Sequence, residues 1–272
     1  MTPKTTKPVR KDSAIGGRFY TVEGVDYPSV THILTAIAKP ALIAWSANTE
    51  RAAVTEAAAD LYTEWAKEIV PPVMPRESYV ATLMTRLGTV KAHQKELAKA
   101  GEIGTQIHQY IEWFMRTAIG AEPGPEPKVC DNALWGFMAF QDWAKSVNLK
   151  PVLIEQTIYS KSYGYAGTMD LLARVNGTLT LVDFKSGKAV YPESFLQSAA
   201  YSVALGEMGY VLPAEALIVR LPKVDTDPDF EVVTVPPVTE LFPVFLAVKE
   251  LWTWTYANEA AYRERRQKAA VA

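Results

Sequence analysis

Cysteine is all but missing from this sequence: Cys130 stands alone among 272 residues. A single thiol cannot form an internal disulfide, and it cannot build a cysteine-held zinc or iron–sulfur site, which needs several such ligands. A reducing cytoplasm is the expected setting. The basic start Met1–Lys11 has no apolar core behind it, so no secretory signal is expected. A mitochondrial address stays open, although Pro3 and Pro8 argue against an amphipathic presequence helix. Long hydrophobic runs are absent as well. Nothing approaches the roughly 18 apolar residues of a bilayer-spanning helix, so no membrane partner is expected. Charge of one sign is also lacking, since 28 basic and 30 acidic residues leave a net charge of −2. A protein that coats DNA by bulk charge would be markedly basic, whereas an enzyme gripping nucleic acid in one groove need not be. The charge balance thus decides nothing about nucleic acid, and the case rests on a site. With 49% hydrophobic and 21% charged residues the chain has ordinary globular composition, which excludes global disorder and collagen-like repeats. Neither G-x-G-x-x-G nor H-E-x-x-H occurs, and Ser186-Gly187-Lys188 is no phosphate loop because Val182 stands where its first glycine belongs.

The residues that are present divide into a helical first half and a strand-rich second half. Residues 1–15 read as a flexible N-terminus. Residues 16–30 alternate polar and apolar side chains around Glu23-Gly24, a short hairpin. Ser29 or Thr31 caps a helical stretch from His32 to Ala38, stopped by Lys39-Pro40. The alanine-rich stretch 41–69, with Leu42, Trp45, Val54, Leu61 and Trp65, reads as one long helix that Pro71, Pro72 and Pro75 break. Helix resumes over 77–87 and over 90–118, the latter containing Gly101 and Gly104, and Gly120–Pro127 is a loop. Another helix covers 129–147, with Leu134, Phe137, Met138 and Trp143 as its apolar stripe. From Lys150 the apolar period drops from about 3.6 to about 2 residues. Strands are expected at 151–159, 165–175, 178–185, 214–221 and 230–235, with helices at 192–208 and 238–266. No internal repeat is visible. Strands broken by helices predict one α/β or α+β domain. It comprises a hairpin and helical region at 16–100, a core at 101–236, and a C-terminal helix and tail at 237–272. The tryptophans fall mostly at helix-core spacings, and Cys130 reads as a small buried apolar residue.

The densest information lies between Ala166 and Lys185. Asn176-Gly177 between two apolar runs marks a two-residue hairpin turn, and such a turn dictates register. With Val175 opposite Thr178, Asp170 falls opposite Asp183 on the same face, their Cβ atoms roughly 4.5–5.5 Å apart. Like charges so placed repel. Their neighbours Leu171, Leu172, Leu181 and Val182 are apolar, so the strands are central and poorly hydrated. Such a pair shares a proton or holds a cation, and convergent carboxylate oxygens suit a hard ion such as Mg²⁺ or Mn²⁺. Lys185, two residues beyond Asp183, projects from the same face and could orient water or stabilise charge on a phosphoryl oxygen. The plainer reading is a buried Asp–Lys–Asp cluster that stabilises a strand end.

Other polar positions admit two readings each. Glu155 is either a solvated edge-strand carboxylate or, through an antiparallel pairing, level with Asp170. The loop Ser160–Gly164 is too long to decide the register. His108 lies one turn beyond Gly104 on one helix face. A mid-helix glycine costs close to 1 kcal/mol relative to alanine, and close approach to a sheet would explain it and present His108 there. Alone, such a histidine is an ordinary satisfied polar residue. Gln197 and Tyr201 share a helix face, either as a partly buried tyrosine and its neighbour or as contacts to a phosphate or site residue. Arg263, Arg265, Arg266 and Lys268 form a basic tail, either a solvated helix end or part of a local DNA groove.

Taken in order, Gly104-x-x-x-His108, Glu155, Gly167-x-x-Asp170, Asp183-x-Lys185 and Gln197-x-x-x-Tyr201 resemble the PD-(D/E)XK nuclease superfamily in its RecB-like exonuclease branch. That branch includes nuclease domains of bacterial recombination helicases, CRISPR-adaptation exonucleases, a mitochondrial genome-maintenance exonuclease and many phage exonucleases. Tyr27–Leu34 followed by Lys39-Pro-Ala-Leu-x-x-Trp45 resembles the opening of phage and mitochondrial-type members, so the likeness spans about 18–222. The resemblance implies a restriction-endonuclease-like core, a mixed central β-sheet flanked by helices, with an N-terminal hairpin and helical extension. It implies metal-dependent hydrolysis of DNA phosphodiesters. His108, Asp170 and Asp183 would hold Mg²⁺ or Mn²⁺ with the backbone carbonyl of Phe184, and Lys185 would position water or stabilise the transition state. Gln197 and Tyr201 would support the site or contact the DNA backbone, and Glu155 matches an acidic position of the family. Met169 replaces the proline of the superfamily's name, and without the cysteine quartet no iron–sulfur cluster is expected.

The favoured expectation is therefore a stand-alone divalent-metal-dependent DNA exonuclease in phage or bacterial recombination or processing. Its partners would be DNA and a single-strand annealing protein or another recombination protein. Two other readings compete. One is a non-catalytic or partner-activated DNA-binding protein of the same fold, since fold alone does not decide function. The other is a retaining glycosidase using Asp170 and Asp183 about 5 Å apart, which leaves Lys185 and His108 unexplained.

Overall fold

The computed structural model describes residues 8–12, 17–67, 75–227 and 229–271, the last ten of these as backbone only. Pro71, Pro72 and the side chains of Arg263, Arg265, Arg266 and Lys268 lie outside that description. In chain order, β1 (Val9–Asp12), β2 (Arg18–Val22) and β3 (Val25–Pro28) form an antiparallel three-stranded sheet. Then come α1 (Val30–Ile33), a 3-10 turn at Leu34–Ala36, α2 (Pro40–Trp65), α3 (Arg76–Leu87), α4 (Ala92–Ala118) and α5 (Asp131–Ser146). The second half holds β4 (Lys150–Ser160), β5 (Tyr165–Val175), β6 (Thr178–Lys185), α6 (Pro192–Glu207), β7 (Glu215–Arg220), β8 (Glu231–Thr234) and α7 (Val238–Val271). The chain divides into two compact units, 1–37 with 104–272, and 38–103. Among the described residues no single helix is long and apolar enough to cross a membrane.

The larger unit is a mixed α/β structure around a five-stranded sheet of order β4-β5-β6-β7-β8, flanked by helices. Only β6 and β7 run parallel, and parallel neighbours need a crossover, which α6 supplies. Asn176 and Gly177 both have positive φ, 50° and 90°, as a tight hairpin turn requires. The register runs from Val175↔Thr178 to Leu171↔Val182, the pairing that the turn predicts. The N-terminal hairpin turns at Glu23 and Gly24, again both at positive φ. Ser29 is the N-cap of α1, its hydroxyl accepting from the His32 amide at 3.0 Å. The helical stretch expected to reach Ala38 ends instead in the 3-10 turn at Ala36.

Two packing layers hold the sheet. On α6, Leu196, Ala200, Ala204 and Leu205 are buried in a core with Leu172, Leu181 and Ile218, and the alanines let the helix approach closely. Elsewhere Phe184 of β6 meets Phe140 and Trp143 of α5 at centroid distances of 5.4 and 5.9 Å. Each such buried aromatic contributes on the order of 1.5–3 kcal/mol.

Several expectations need correction. α5 packs through Ala133, Gly136, Phe137, Phe140 and Trp143, whereas Leu134 and Met138 are 37% and 51% exposed. The small residues allow closer contact than the larger pair would. Trp143 and Trp252 are buried, but Trp135 and Trp254 face solvent, so helical spacing overstates the tryptophan core. Leu42 and Val54 of α2 are also exposed. Cys130 is exposed at the N-cap of α5 rather than buried. Val9–Asp12, inside the stretch read as flexible, pairs with β2 as a strand.

Gly136 marks the tightest approach of α5. A Cβ there would lie 2.5 Å from the Ile107 side chain and 2.9 Å from the carbonyl oxygen of Pro222. Alanine would gain about 1 kcal/mol of helix propensity, against an overpacking cost of typically 1–3 kcal/mol. Gly136→Ala is therefore expected to lower stability in urea unfolding; a stabilised variant would show that the contact is loose.

Candidate active site

The part of α4 from Gly104 onward presents Gly104, His108, Glu112 and Arg116 at intervals of four, on one helix face. Gly104 has a steric reason: a Cβ there would sit 2.7 Å from the Ser186 hydroxyl, in the loop that follows β6. The glycine admits that loop, and His108 one turn later comes to the sheet. Its Nδ1 lies 3.5 Å from Asp170 Oδ1 and 3.8 Å from Glu155 Oε1. One potential ligand atom from each of the three residues falls within 4.8 Å of the others.

Glu155 owes its place to register and to an unusual backbone. The pairs Ile154↔Leu171 and Gln156↔Met169 bracket it opposite Asp170, although β4 is an edge strand. Its φ is 47°, a left-handed conformation in mid-strand that costs a non-glycine residue roughly 1–2 kcal/mol. Strain of this kind collects at functional sites, where the surroundings enforce it.

Asp170 and Asp183 follow directly on the last paired residues of β5 and β6. Their carboxylates have different partners. Asp170 Oδ2 accepts from the Phe184 amide at 2.7 Å while Oδ1 faces His108. Asp183 Oδ1 accepts from Gln197 Nε2 at 3.0 Å, and Lys185 Nζ lies 2.5 Å from Oδ2. The Lys185 ammonium is thus the partner of the buried Oδ2. Gln197 ties the set together, its Oε1 accepting from Lys185 at 3.2 Å and its Nε2 donating to the Tyr201 hydroxyl at 3.3 Å. Gly167 makes room for Tyr201, whose ring a Cβ would meet at 2.5 Å. Phe184 contributes its amide here, and its ring packs edge-on to His108 at 6.2 Å.

Electrostatics follow from crowding charges in little water. Burial alone would lower the His108 pKa, but Asp170 and Glu155 outweigh it and raise it to about 10. Burial, with Asp170 adding to it and His108 opposing, lifts Glu155 to about 7. Asp183 rises to about 6 through burial and Asp170, with Lys185 opposing. Burial disfavours the Asp170 anion too, yet His108, Lys185 and the Phe184 amide hold its carboxyl below the ordinary range. For Lys185 burial favours the neutral amine, and Asp183 with Asp170 reverses this, so its pKa is raised. Lys185 keeps its proton at neutral pH and cannot serve as the base.

All eight site residues singled out in the sequence thus gather where the β5–β6 pairing ends, at mid-β5 and the end of β6. Two contributors escaped notice. Glu112 adds to the negative field on Glu155, and its only sequence signal is the spacing of four from His108. Ser186, passed over as part of a failed phosphate loop, is the group that Gly104 admits.

A family model of the PD-(D/E)XK nuclease superfamily matches residues 133–269, just over half of the chain. The chain belongs to the PD-(D/E)XK nuclease superfamily. No curated protein matches it. The matched stretch contains Glu155, Asp170, Asp183, Lys185, Gln197 and Tyr201, while His108 lies upstream of it. Nucleases of this superfamily are hydrolases that use divalent metals and act on DNA. The residues present fit such an ion: an imidazole nitrogen and two carboxylates, those of Glu155 and Asp170, converge within 4.8 Å.

Two outcomes test the geometry. At φ 47° glycine is unstrained and alanine is not, so Glu155→Gly should exceed Glu155→Ala in metal-free stability by about 1 kcal/mol in denaturant melts. Equal stability would mean an ordinary strand conformation at Glu155. A His108 that ligates must first lose the proton it carries below pH 10, so Mn²⁺ binding should release protons and tighten as pH rises. Calorimetric heats at pH 7.5 should therefore differ between HEPES and Tris; identical heats would remove His108 from the ligand set.

Proposed function

We propose that this nuclease is a divalent-metal-dependent DNA exonuclease of the RecB-like branch, acting in phage or bacterial DNA recombination or processing. The observation that carries the reading is the reach of His108, from a helix outside the family match, to Asp170 and Glu155. The G-x-x-x-H and Q-x-x-x-Y elements that flank the sheet motif support the RecB-like branch. DNA is the substrate in this reading, and a single-strand annealing protein or another recombination protein is the expected partner.

His108, Asp170 and Asp183, with the backbone carbonyl of Phe184, would hold Mg²⁺ or Mn²⁺, and Glu155 joins them by its distance to His108. The chemistry a divalent ion supplies there is polarisation of the phosphate, ionisation of water and charge stabilisation at the leaving oxygen. Lys185, protonated and braced by Gln197 and Asp183, donates a hydrogen bond to the attacking water or to the charge that develops on phosphorus-bound oxygen. Gln197 keeps that ammonium from swinging into solvent. The Tyr201 phenol, whose pKa burial and the two aspartates push well up, stays protonated and supports the site from below through Gln197.

The test is digestion of end-labelled linear single- and double-stranded DNA with Mn²⁺, Mg²⁺ or EDTA. Label should be lost from one end with either ion and retained in EDTA. Asp183→Ala and Lys185→Ala should each slow cleavage by at least about 100-fold, the scale of losing one charge-stabilising group, while circular dichroism stays unchanged. Discrete internal fragments would replace exonuclease with endonuclease. Binding of DNA without cleavage under every condition would favour the partner-activated reading.

A further inference from the structure

Arg116 is the member of the α4 face that the proposed reaction leaves without a task. It lies two turns beyond His108 and one beyond Glu112, and its guanidinium bridges two groups. Nε donates to Glu112 Oε1 at 2.8 Å, and Nη2 donates to the Ile154 carbonyl at 3.1 Å. The Glu112–Arg116 pair is about one-third exposed, so by itself it adds little stability. Its consequence is orientational, since it points the guanidinium at β4.

The carbonyl that Arg116 grips belongs to the peptide unit joining Ile154 to Glu155. That unit is planar and rigid, so its orientation relative to the Glu155 Cα is the torsion φ of Glu155, here 47°. Ile154 keeps its register with Leu171 while the next residue is left-handed, and a backbone acceptor beside such a kink gains from a further fixed donor. Arg116 supplies such a donor at 3.1 Å, and charged donors make the stronger hydrogen bonds. We propose that Arg116 is a positioning residue: by holding the Ile154 carbonyl it keeps Glu155 left-handed and so aims the Glu155 carboxylate at His108 and Asp170. The inference rests on the nuclease reading, because the aimed carboxylate matters as part of the metal-binding trio.

The test is a double-mutant cycle read by Mn²⁺ calorimetry on the full chain, with thermal melts of the metal-free proteins beside it. Arg116→Ala should weaken Mn²⁺ binding about 10- to 100-fold, the usual effect of losing a group that orients a metal ligand. Guanidinium ion should restore part of the loss, and Arg116→Lys should lose less than Arg116→Ala. In a Glu155→Ala background the same Arg116→Ala change should have no further effect on Mn²⁺ affinity, because its effect runs through Glu155. Unchanged affinity in Arg116→Ala, or an equal loss in both backgrounds, overturns the assignment. A lowered melting temperature with intact Mn²⁺ affinity overturns it too and makes Arg116 purely structural. Should Arg116→Ala not fold, Arg116→Lys and its Glu155→Ala partner carry the same cycle. Wild-type protein that neither binds Mn²⁺ nor cleaves DNA would overturn the nuclease reading itself, whereas binding and cleavage indifferent to Arg116 overturn only this inference.

Discussion

An ionised carboxylate withdrawn from water costs several kcal/mol even after the surroundings relax, and this fold draws three of them together. Asp183 is 2% exposed, and beside it the side chains of Asp170 and Glu155 are 12% and 24% exposed. Left alone, the three would take up protons or force the strands apart. Each answer to that cost comes from a different element. α4 supplies the His108 imidazolium, β6 supplies the Lys185 ammonium and the Phe184 amide, and α6 supplies the Gln197 amide. Three carboxylates face two basic groups, His108 and Lys185, and burial first, then Asp170, lifts the pKa values of Asp183 and Glu155. That residual negative potential is what favours a cation.

The same balance separates the functions of two basic groups that look alike on charge alone. His108 owes its proton to the carboxylates it touches, and a cation in their midst would remove the reason for keeping it. Lys185 is held from the other side by Asp183 and Gln197 and has far more basicity to lose before it titrates. One group is thus exchangeable with a metal and the other is a fixed positive donor. This division follows from where each side chain enters, one from a helix across the carboxylates and one from the strand that carries Asp183.

How much of this was legible in the sequence depends on how local the determinant is. The register of β5 and β6 needed only Asn176-Gly177, because a two-residue turn leaves no freedom in the pairing. Gly104 and His108 were readable from spacing and from the oddity of a glycine in a helix. Glu155 was not, since nothing in Leu153-Ile154-Glu155-Gln156 announces a left-handed residue, and the loop Ser160–Gly164 hides the β4 register. α5 misled because two stripes are apolar at helical spacing. The stripe that packs contains Ala133 and Gly136, whose small size becomes meaningful only when Ile107 and Pro222 are seen against it. Cys130 misled for a related reason, since a small apolar residue at a helix start is exposed whatever its preference for burial.

The extent of the family match is instructive on the same grounds. It begins at Ala133 and so takes in the whole sheet with its carboxylates and lysine, but not the helix that brings His108 and Arg116. The sheet part is held together by backbone pairing and a short turn, constraints that act over a few residues. The helix part meets it through side-chain contacts that include the Ser186 hydroxyl over Gly104, the imidazole between Asp170 and Glu155, and the guanidinium on the Ile154 carbonyl. Each of these contacts needs one small or one long residue at a single position, and the spacing of four along α4 aligns them. The site is consequently complete only where a helix with that spacing meets a strand with that kink, and neither half would carry the positive and negative groups in balance without the other.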